Sequence, residues 1–318
     1  MTTPAPKKVV SLSLGSTKRD KTVTATFFGQ PFEISRVGTD GDQARFKRTL
    51  AEIDGKVDAI GFGGMDQYLW SEGKRYEFRA ARALLAPAKQ TPVLDGSGLK
   101  NTLEREMVEQ LQQNKVVDFA KSRILMVAGV DRFGMSEALA AQGGEIIFGD
   151  LLFALDLPFP IHGRKAHRTW ARFLLPLIVQ MPLSVLYPMG EKQDIIKPKW
   201  QKFYQWADVI AGDFHYIRRY MPTVESGFLE GKIILTNTTT ETDEEELRKR
   251  GVKLLITTTP SFDGRSFGTN VMEAVLVALN DGKPLTPEEY LTTLKKLEWT
   301  PNIRHLQDDR PGTSEPGK

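Results

Sequence analysis

The fold turns on RILMVAGVDRFGMSEALAAQGGEIIFGD, residues Arg123 to Asp150. Ile124 to Ala128 is an apolar, strand-type run that breaks at Gly129. The turn Gly129-Val130-Asp131-Arg132-Phe133-Gly134 follows, then a helix-compatible segment, then a second apolar run, Ile146 to Phe148, ending at Gly149-Asp150. Strand, glycine-bounded turn, helix, strand and acid is the layout of a dinucleotide-binding unit, in which the turn and the helix start cradle a pyrophosphate. Asp150 lies about twenty residues past Gly129, where an acid hydrogen-bonds the adenosine ribose. Asp131 stands where a second glycine is expected, and its charge repels a pyrophosphate unless it points away or Arg132 compensates.

Outward from this stretch, the alternation of strand and helix continues. Candidate strands are Ile124 to Ala128, Glu145 to Phe148, Leu183 to Tyr187, Asp208 to Ala211, Lys232 to Thr236 and Lys253 to Thr257. Thr242-Asp243-Glu244-Glu245 reads as a helix start with the threonine as cap. A last helix from about Phe267 to Leu279 carries Val271, Ala274, Val275 and Ala278 on one face. Six strands with intervening helices predict a Rossmann-like, doubly wound parallel sheet over residues 119–300.

Residues 7–118 read as a separate α/β substrate lobe. A strand at Val9 to Leu14 is followed by a hairpin, Thr22 to Phe28 with Phe32 to Val37, turning at Gly29-Gln30-Pro31. A helix starts at Asp42 with Phe46, Leu50 and Ile53 inward. Strands at Val57 to Phe62 and Pro92 to Leu94 come next, and a helix with Leu103, Met107 and Leu111 inward closes the lobe. The polar, Pro- and Gly-rich residues 307–318 read as a disordered tail.

Composition narrows the class. The chain has 318 residues, 40% hydrophobic and 26% charged, which is the make-up of an ordinary globular protein. Its formal charge of +3 reflects 43 basic against 40 acidic residues, so no concentrated basic stripe marks a nucleic-acid partner. The apolar stretch Phe173 to Met181 is broken by Pro176 and Gln180 and is too short for a membrane span. No cysteine is present, which excludes disulfides and thiolate chemistry. The four histidines show no metal-ligand spacing, so no metal is expected. A cytoplasmic location is the default expectation, and a homo-oligomer is compatible with everything above.

Ligands of such sheets bind beyond the carboxyl ends of the strands, where this chain places glycine, serine and threonine. Gly129, Arg132, Gly134, Asp150, Thr236, Thr258 and Gly268 are the candidate cofactor-binding residues. An acid at Asp150 favours NAD over NADP, because it repels a 2′-phosphate. Asp263 to Asn270 runs into the last helix as an anion site or an ordinary cap. Ser16, Lys18 and Arg19 are candidate binders of an acidic substrate, since arginine offers a bidentate fork. Lys100 near Asp95 is a candidate proton shuttle, with Asp66 as a second carboxylate.

The segments SLGSTKRD, RVGTDGD, TPVLDGSGLKNTLERE, AGVDRFGMSEAL and GRSFGTNVMEA, spanning residue 8 to about 300, resemble a bacterial family labelled quinate 5-dehydrogenase. The resemblance implies NAD(P)-dependent oxidation of a cyclic hydroxy acid on a two-domain, shikimate-dehydrogenase-like architecture. It makes Lys100 the nearest analogue of the family's catalytic lysine and Ser11 and Ser13 counterparts of its substrate-binding serines. The leading expectation is therefore an NAD(P)-dependent oxidoreductase acting on a small acidic hydroxy compound. The rival is a non-catalytic nucleotide- or phosphometabolite-binding protein with a degenerate Rossmann lobe. Asp131 favours the rival.

Overall fold

The computed structural model describes residues 4–182, 196–258, 261–262, 265–266 and 268–307. They form two compact α/β units. The first comprises Met1–Glu106, Arg168–Gln193 and Pro260–Trp299, and the second Met107–His167, Asp194–Thr259 and Thr300–Lys318. The first unit thus takes in 260–299, which the sequence pattern had placed in the second lobe.

The first unit is built on a five-stranded sheet of β1 (Lys7–Ser13), β2 (Lys21–Phe27), β3 (Gln30–Gly38), β4 (Ala59–Gly63) and β7 (Val93–Leu94), in the order β2-β3-β1-β4-β7. The expected hairpin is the antiparallel β2–β3 pair, and all other pairs are parallel. A separate ribbon, β5 (Tyr68–Ser71) with β6 (Lys74–Glu77), was not foreseen. The unit's helices are α1 (Gln43–Ile53), α2 (Arg79–Leu85), α9 (Thr269–Leu279) and α10 (Pro287–Lys296). A two-residue ladder, β14 (Ser261–Phe262) with β15 (Arg265–Ser266), precedes α9.

The central strands alternate small and large residues, and the alternation decides which helix covers which face. In register, Ser11 faces Gly61, Leu12 faces Phe62 and Ser13 faces Gly63. Side chains on successive strand residues point to opposite faces. The large face takes α1, whose Phe46 meets Phe62 edge-on at 5.5 Å. The small face takes the first turn of α9. A methyl on Gly61 would lie 3.0 Å from the Asn270 carbonyl oxygen, and one on Gly63 would lie 3.3 Å from Asn270 Nδ2. Asn270 Nδ2 in turn lies 3.3 Å from Ser11 Oγ. Close approach of a helix backbone to a sheet requires this missing bulk.

The second unit carries a seven-stranded sheet in the order β10-β9-β8-β11-β12-β13-β16. Its strands are β8 (Arg123–Met126), β9 (Glu145–Phe148), β10 (Ile161–His162), β11 (Val209–Ala211), β12 (Ile233–Thr236), β13 (Leu254–Thr257) and β16 (Asn302–His305). The five central strands are parallel, and β10 and β16 add antiparallel edges. Among the central five the chain order is 2-1-3-4-5, a doubly wound arrangement with its switch point between β8 and β11. The proposed strand Leu183 to Tyr187 lies outside the described residues, as does the tail from residue 308.

Helices α4 (Phe133–Ala141), α6 (Gln201–Trp206), α7 (Phe214–Tyr220) and α8 (Glu241–Lys249) belong to this unit, and α3 (Ser97–Gln113) and α5 (Gly163–Ile178) complete the set. The cap of α8 is Thr240, in a capping box with Asp243, two residues before the expected Thr242. The core gathers Phe153, Tyr204 and Tyr220 edge-on, and Tyr204 satisfies its buried hydroxyl by donating to the Ile217 carbonyl at 2.8 Å. Among the described residues, no helix is long and apolar enough to cross a membrane.

The seat of α9 makes one residue especially sensitive. Gly96 has φ +90, and a side chain there would lie 2.6 Å from the backbone nitrogen of Asn270. Gly96→Ala should therefore destabilise the protein by roughly 1–3 kcal/mol, the cost of a non-glycine residue held in such backbone with a clash added. Urea unfolding of the two proteins checks this.

Candidate functional site

After β1 the chain makes a short 3₁₀ turn, Thr17–Arg19, whose N-cap is Ser16. The Ser16 hydroxyl accepts from Lys18 N at 3.2 Å, and Asp40 accepts from Thr17 N at 2.8 Å. Arg36 on β3 ties the turn to the sheet. Its Nη1 donates to the Ser16 carbonyl and to Asp20 Oδ1, both at 2.8 Å. Arg36 and Asp20, with Lys18, Arg19, Lys21 and Gly268, line a groove of about 500 Å³. The groove also meets Ser11, Ser35 and Val271.

Four cations and one carboxylate thus face this groove. Burial, opposed by Asp20 and aided by Arg19, pulls the Arg36 guanidinium below its ordinary value. Positive charges close enough to act on one another in this way gain from an anion between them. Gly268 is the N-cap of the eleven-residue α9 and provides no side-chain cap. The start of α9 therefore adds a positive helix end to the groove. Lys18 and Arg19, expected from the sequence to bind an acidic substrate, line the groove. Ser16 shapes their turn and does not line the groove.

Behind this surface lies a polar cluster at the carboxyl ends of β4 and β7. Asp95 caps the local chain, accepting from Gln67 N, Tyr68 N and Ser97 N at 2.8, 3.1 and 3.0 Å. Its carboxylate is thus committed to backbone, and the acid paired with Lys100 is Asp66, at 3.5 Å. Sequence adjacency had suggested Asp95 for that part.

The sequence gave no hint of Glu273 on α9. Its Oε1 accepts from the Tyr290 hydroxyl at 2.8 Å, and a methyl on Gly98 would come within 2.4 Å of that oxygen. Burial, with the Asp95 charge next, pushes the Glu273 carboxyl up from 4.5 to about 7. Burial and Glu273 push the Tyr290 hydroxyl far up, so it remains a donor.

In the second unit, the expected cofactor residues do gather at the carboxyl edge of the sheet, but they are engaged with one another. Asp150 is buried, accepts from Val130 N at 2.9 Å and lies 3.1 Å from His167 Nε2. Burial works to raise this carboxyl, yet His167 and the Val130 and Gly129 amides hold it below its ordinary value. The His167 ring stacks on Phe148 at 4.0 Å and fills the space over Gly129, where a methyl would meet Nε2 at 2.7 Å. A pyrophosphate approaching that glycine meets an imidazole instead.

Arg132, 4% exposed, donates to Asp213 Oδ2 at 2.7 Å and sits 3.5 Å from Asp131. This pair spans β8 and β11, so the switch-point crevice is crossed by an internal ion pair. Asn237 Nδ2 donates to the same Asp213 oxygen at 2.8 Å. Thr236 donates to the Gly212 carbonyl, Thr258 N bonds the Thr236 carbonyl, and Gly134 is buried in α4. Gly268 belongs to the other unit. Of the Asp263–Asn270 anion segment, residues 263, 264 and 267 lie outside the described residues. Among the described residues, no group of three or more His, Asp or Glu is placed to hold a metal.

A family model described as Domain of unknown function (DUF8754) matches residues 98–306. The chain belongs to that family. A second model, Domain of unknown function (DUF8753), matches residues 8–95, so the junction with DUF8754 falls in the Asp95–Gly98 turn. A search of curated proteins finds no match.

Solved structures that align with this DUF8754 chain include a glucose-galactose binding protein from Geobacillus stearothermophilus. It is 9% identical, over 97% of this chain and 100% of that one, with a TM-score of 0.40. An ABC transporter periplasmic solute binding protein from Actinobacillus succinogenes, with bound D-allose, is 11% identical over 95% and 98%, at 0.38. The periplasmic binding protein component of the arabinose ABC transporter from Shewanella is 10% identical over 92% and 97%, at 0.36. At these scores no ligand is carried over to this chain.

None of these proteins is described as a dehydrogenase, and neither family model names one. The turn at Gly129, filled by His167, and the Asp150 carboxylate engaged by that ring overturn the NAD or NADP cofactor, and with it the oxidoreductase activity and the quinate 5-dehydrogenase resemblance. The cytoplasmic expectation is withdrawn alongside these matches, two of which are described as periplasmic, and no location is assigned to this chain.

Two outcomes follow from the geometry. Titration with NADH or NADPH, followed by nicotinamide fluorescence, should show no saturable change. The folded protein should also lose stability as pH rises. Glu273 binds its proton up to about pH 7 when folded but only to 4.5 when unfolded. Its contribution is fully present below 4.5 and lost as pH climbs to about 7. The loss is about 3 kcal/mol. Glu273→Gln should flatten that part of the pH–stability profile, measured by denaturant unfolding across the range.

Proposed function

We propose that this protein is a non-catalytic binder of a small anionic metabolite, one that carries a phosphate or carboxylate group. The observation that carries the reading is the first-unit groove, where Lys18, Arg19, Lys21 and Arg36 outnumber the single carboxylate of Asp20. Arg36 is anchored by Asp20 and the Ser16 carbonyl, so its planar fork is held in place before a ligand arrives. Ser11 and Ser35 add hydroxyls that donate to or accept from the polar body of a ligand. Val23, Ile34 and Val271 supply the apolar wall that a compact metabolite packs against.

The second unit supports a binding role in a different way. Its switch-point polar groups are consumed by internal pairs, which leaves a rigid scaffold rather than a cofactor seat. Polar residues that elsewhere hold a dinucleotide are used here to lock turns together.

Isothermal titration with sugar phosphates and small dicarboxylates, each run against its uncharged parent, tests the reading. The charged members should bind and the parents should not. Lys18→Glu with Arg19→Glu should weaken binding by about tenfold or more, and added salt should weaken it further. Equal binding of charged and neutral partners would sink the proposal.

A further inference from the structure

One wall of the groove comes from a distant part of the chain. Gly268 and Val271 come from the start of α9, while the rest of its lining comes from residues 11–36. The residue that ties this wall to its neighbours lies two positions past Val271. Glu273 reaches from α9 to the Tyr290 hydroxyl on α10 and into the space left by Gly98 at the start of α3.

The groups facing the Glu273 carboxyl are few. Tyr290 donates from α10, the Gly96 and Leu99 amides approach from the α3 side, and the Asp95 carboxylate acts on it from the end of β7. Two residues past Gly98, Lys100 is engaged by Asp66. Lys7 on β1 bonds the Ala278 carbonyl at the far end of α9.

Asp95 cannot withdraw from Glu273, because three backbone amides hold it. The first turn of α9 is coupled to the groove, since a methyl on Gly96 would lie 2.6 Å from the Asn270 nitrogen and Asn270 reaches Ser11, itself part of the groove. Charging Glu273 therefore sets two carboxylates against each other across a packed contact. The repulsion falls on α9, the helix that carries Glu273 and forms the groove wall.

We propose that Glu273 is a positioning residue for the anion groove, and that loss of its proton displaces the start of α9 and weakens anion binding. The proposal rests on the groove being the binding site. The first unit contains no histidine: all four histidines lie in the second unit. A carboxyl raised to about 7 titrates in the neutral range.

The test uses the full chain and probes that do not titrate, inorganic sulfate and glucose 6-sulfate. Affinity is measured by isothermal titration from about pH 6 to about pH 8, the interval that brackets the change. The natural protein should lose about fivefold or more in affinity over that interval, the low end of coupling between two sites. Glu273→Gln should bind at every pH as the natural protein does at the acid end, and Tyr290→Phe should shift the midpoint of the profile. Thermal unfolding confirms that each variant is folded. An identical pH profile in the natural protein and in folded Glu273→Gln would overturn the positioning role while leaving the groove intact. Absence of sulfate binding at any pH, in every variant, would overturn the groove itself and the proposal with it.

Discussion

The contact between the first turn of α9 and the small-residue face of β1 and β4 sets the design of the first unit. Ser11, Ser13, Gly61 and Gly63 are small because a helix backbone lies against them. Gly96 and Gly98 are glycine because Asn270 and Glu273 occupy the volumes their side chains would take. The same contact brings a buried carboxyl beside Asp95 and delivers Gly268 and Val271 to the groove. Packing and electrostatics meet in one helical turn.

The two units use similar residues to opposite ends. At the switch point of the second unit, Arg132, Asp213, Asn237 and Asp131 satisfy one another, and Asp150 is closed off by His167. Buried polar groups so paired fix a conformation and leave little for a ligand to gain. In the groove of the first unit, four cations stand against the single carboxylate of Asp20. A motif of glycine, arginine and acid is therefore not evidence of a cofactor until the partners of each side chain are known.

Much of the architecture was legible. The strand at 123–126, the parallel strands after it and the β2–β3 hairpin all follow from local periodicity and turn residues, and Asp42 caps α1 as its position indicates. What local pattern could not reveal was long-range pairing. Asn270 meets Ser11 from 259 residues away, and nothing near Gly268 records that its helix returns to the first sheet. Lys100 and Asp95 are neighbours in sequence, yet the backbone claims Asp95 and Asp66 takes the lysine. Glu273 reads as one polar residue in an apolar helix, and only its burial against Asp95 and Tyr290 gives it chemistry.

The return of α9 also shapes how the molecule is made. The sheet of β1, β3, β4 and β7 is complete by Leu94, but the helix that covers its small face is not synthesised until Thr269–Leu279. During translation that face stays wet while most of the second unit emerges, and its closure is a late, non-local event of the kind that slows folding. Serines and glycines, rather than leucines, line the waiting surface, so the nascent chain exposes little that is sticky. A residue choice made for close packing in the finished protein thus also guards the unfinished one against aggregation.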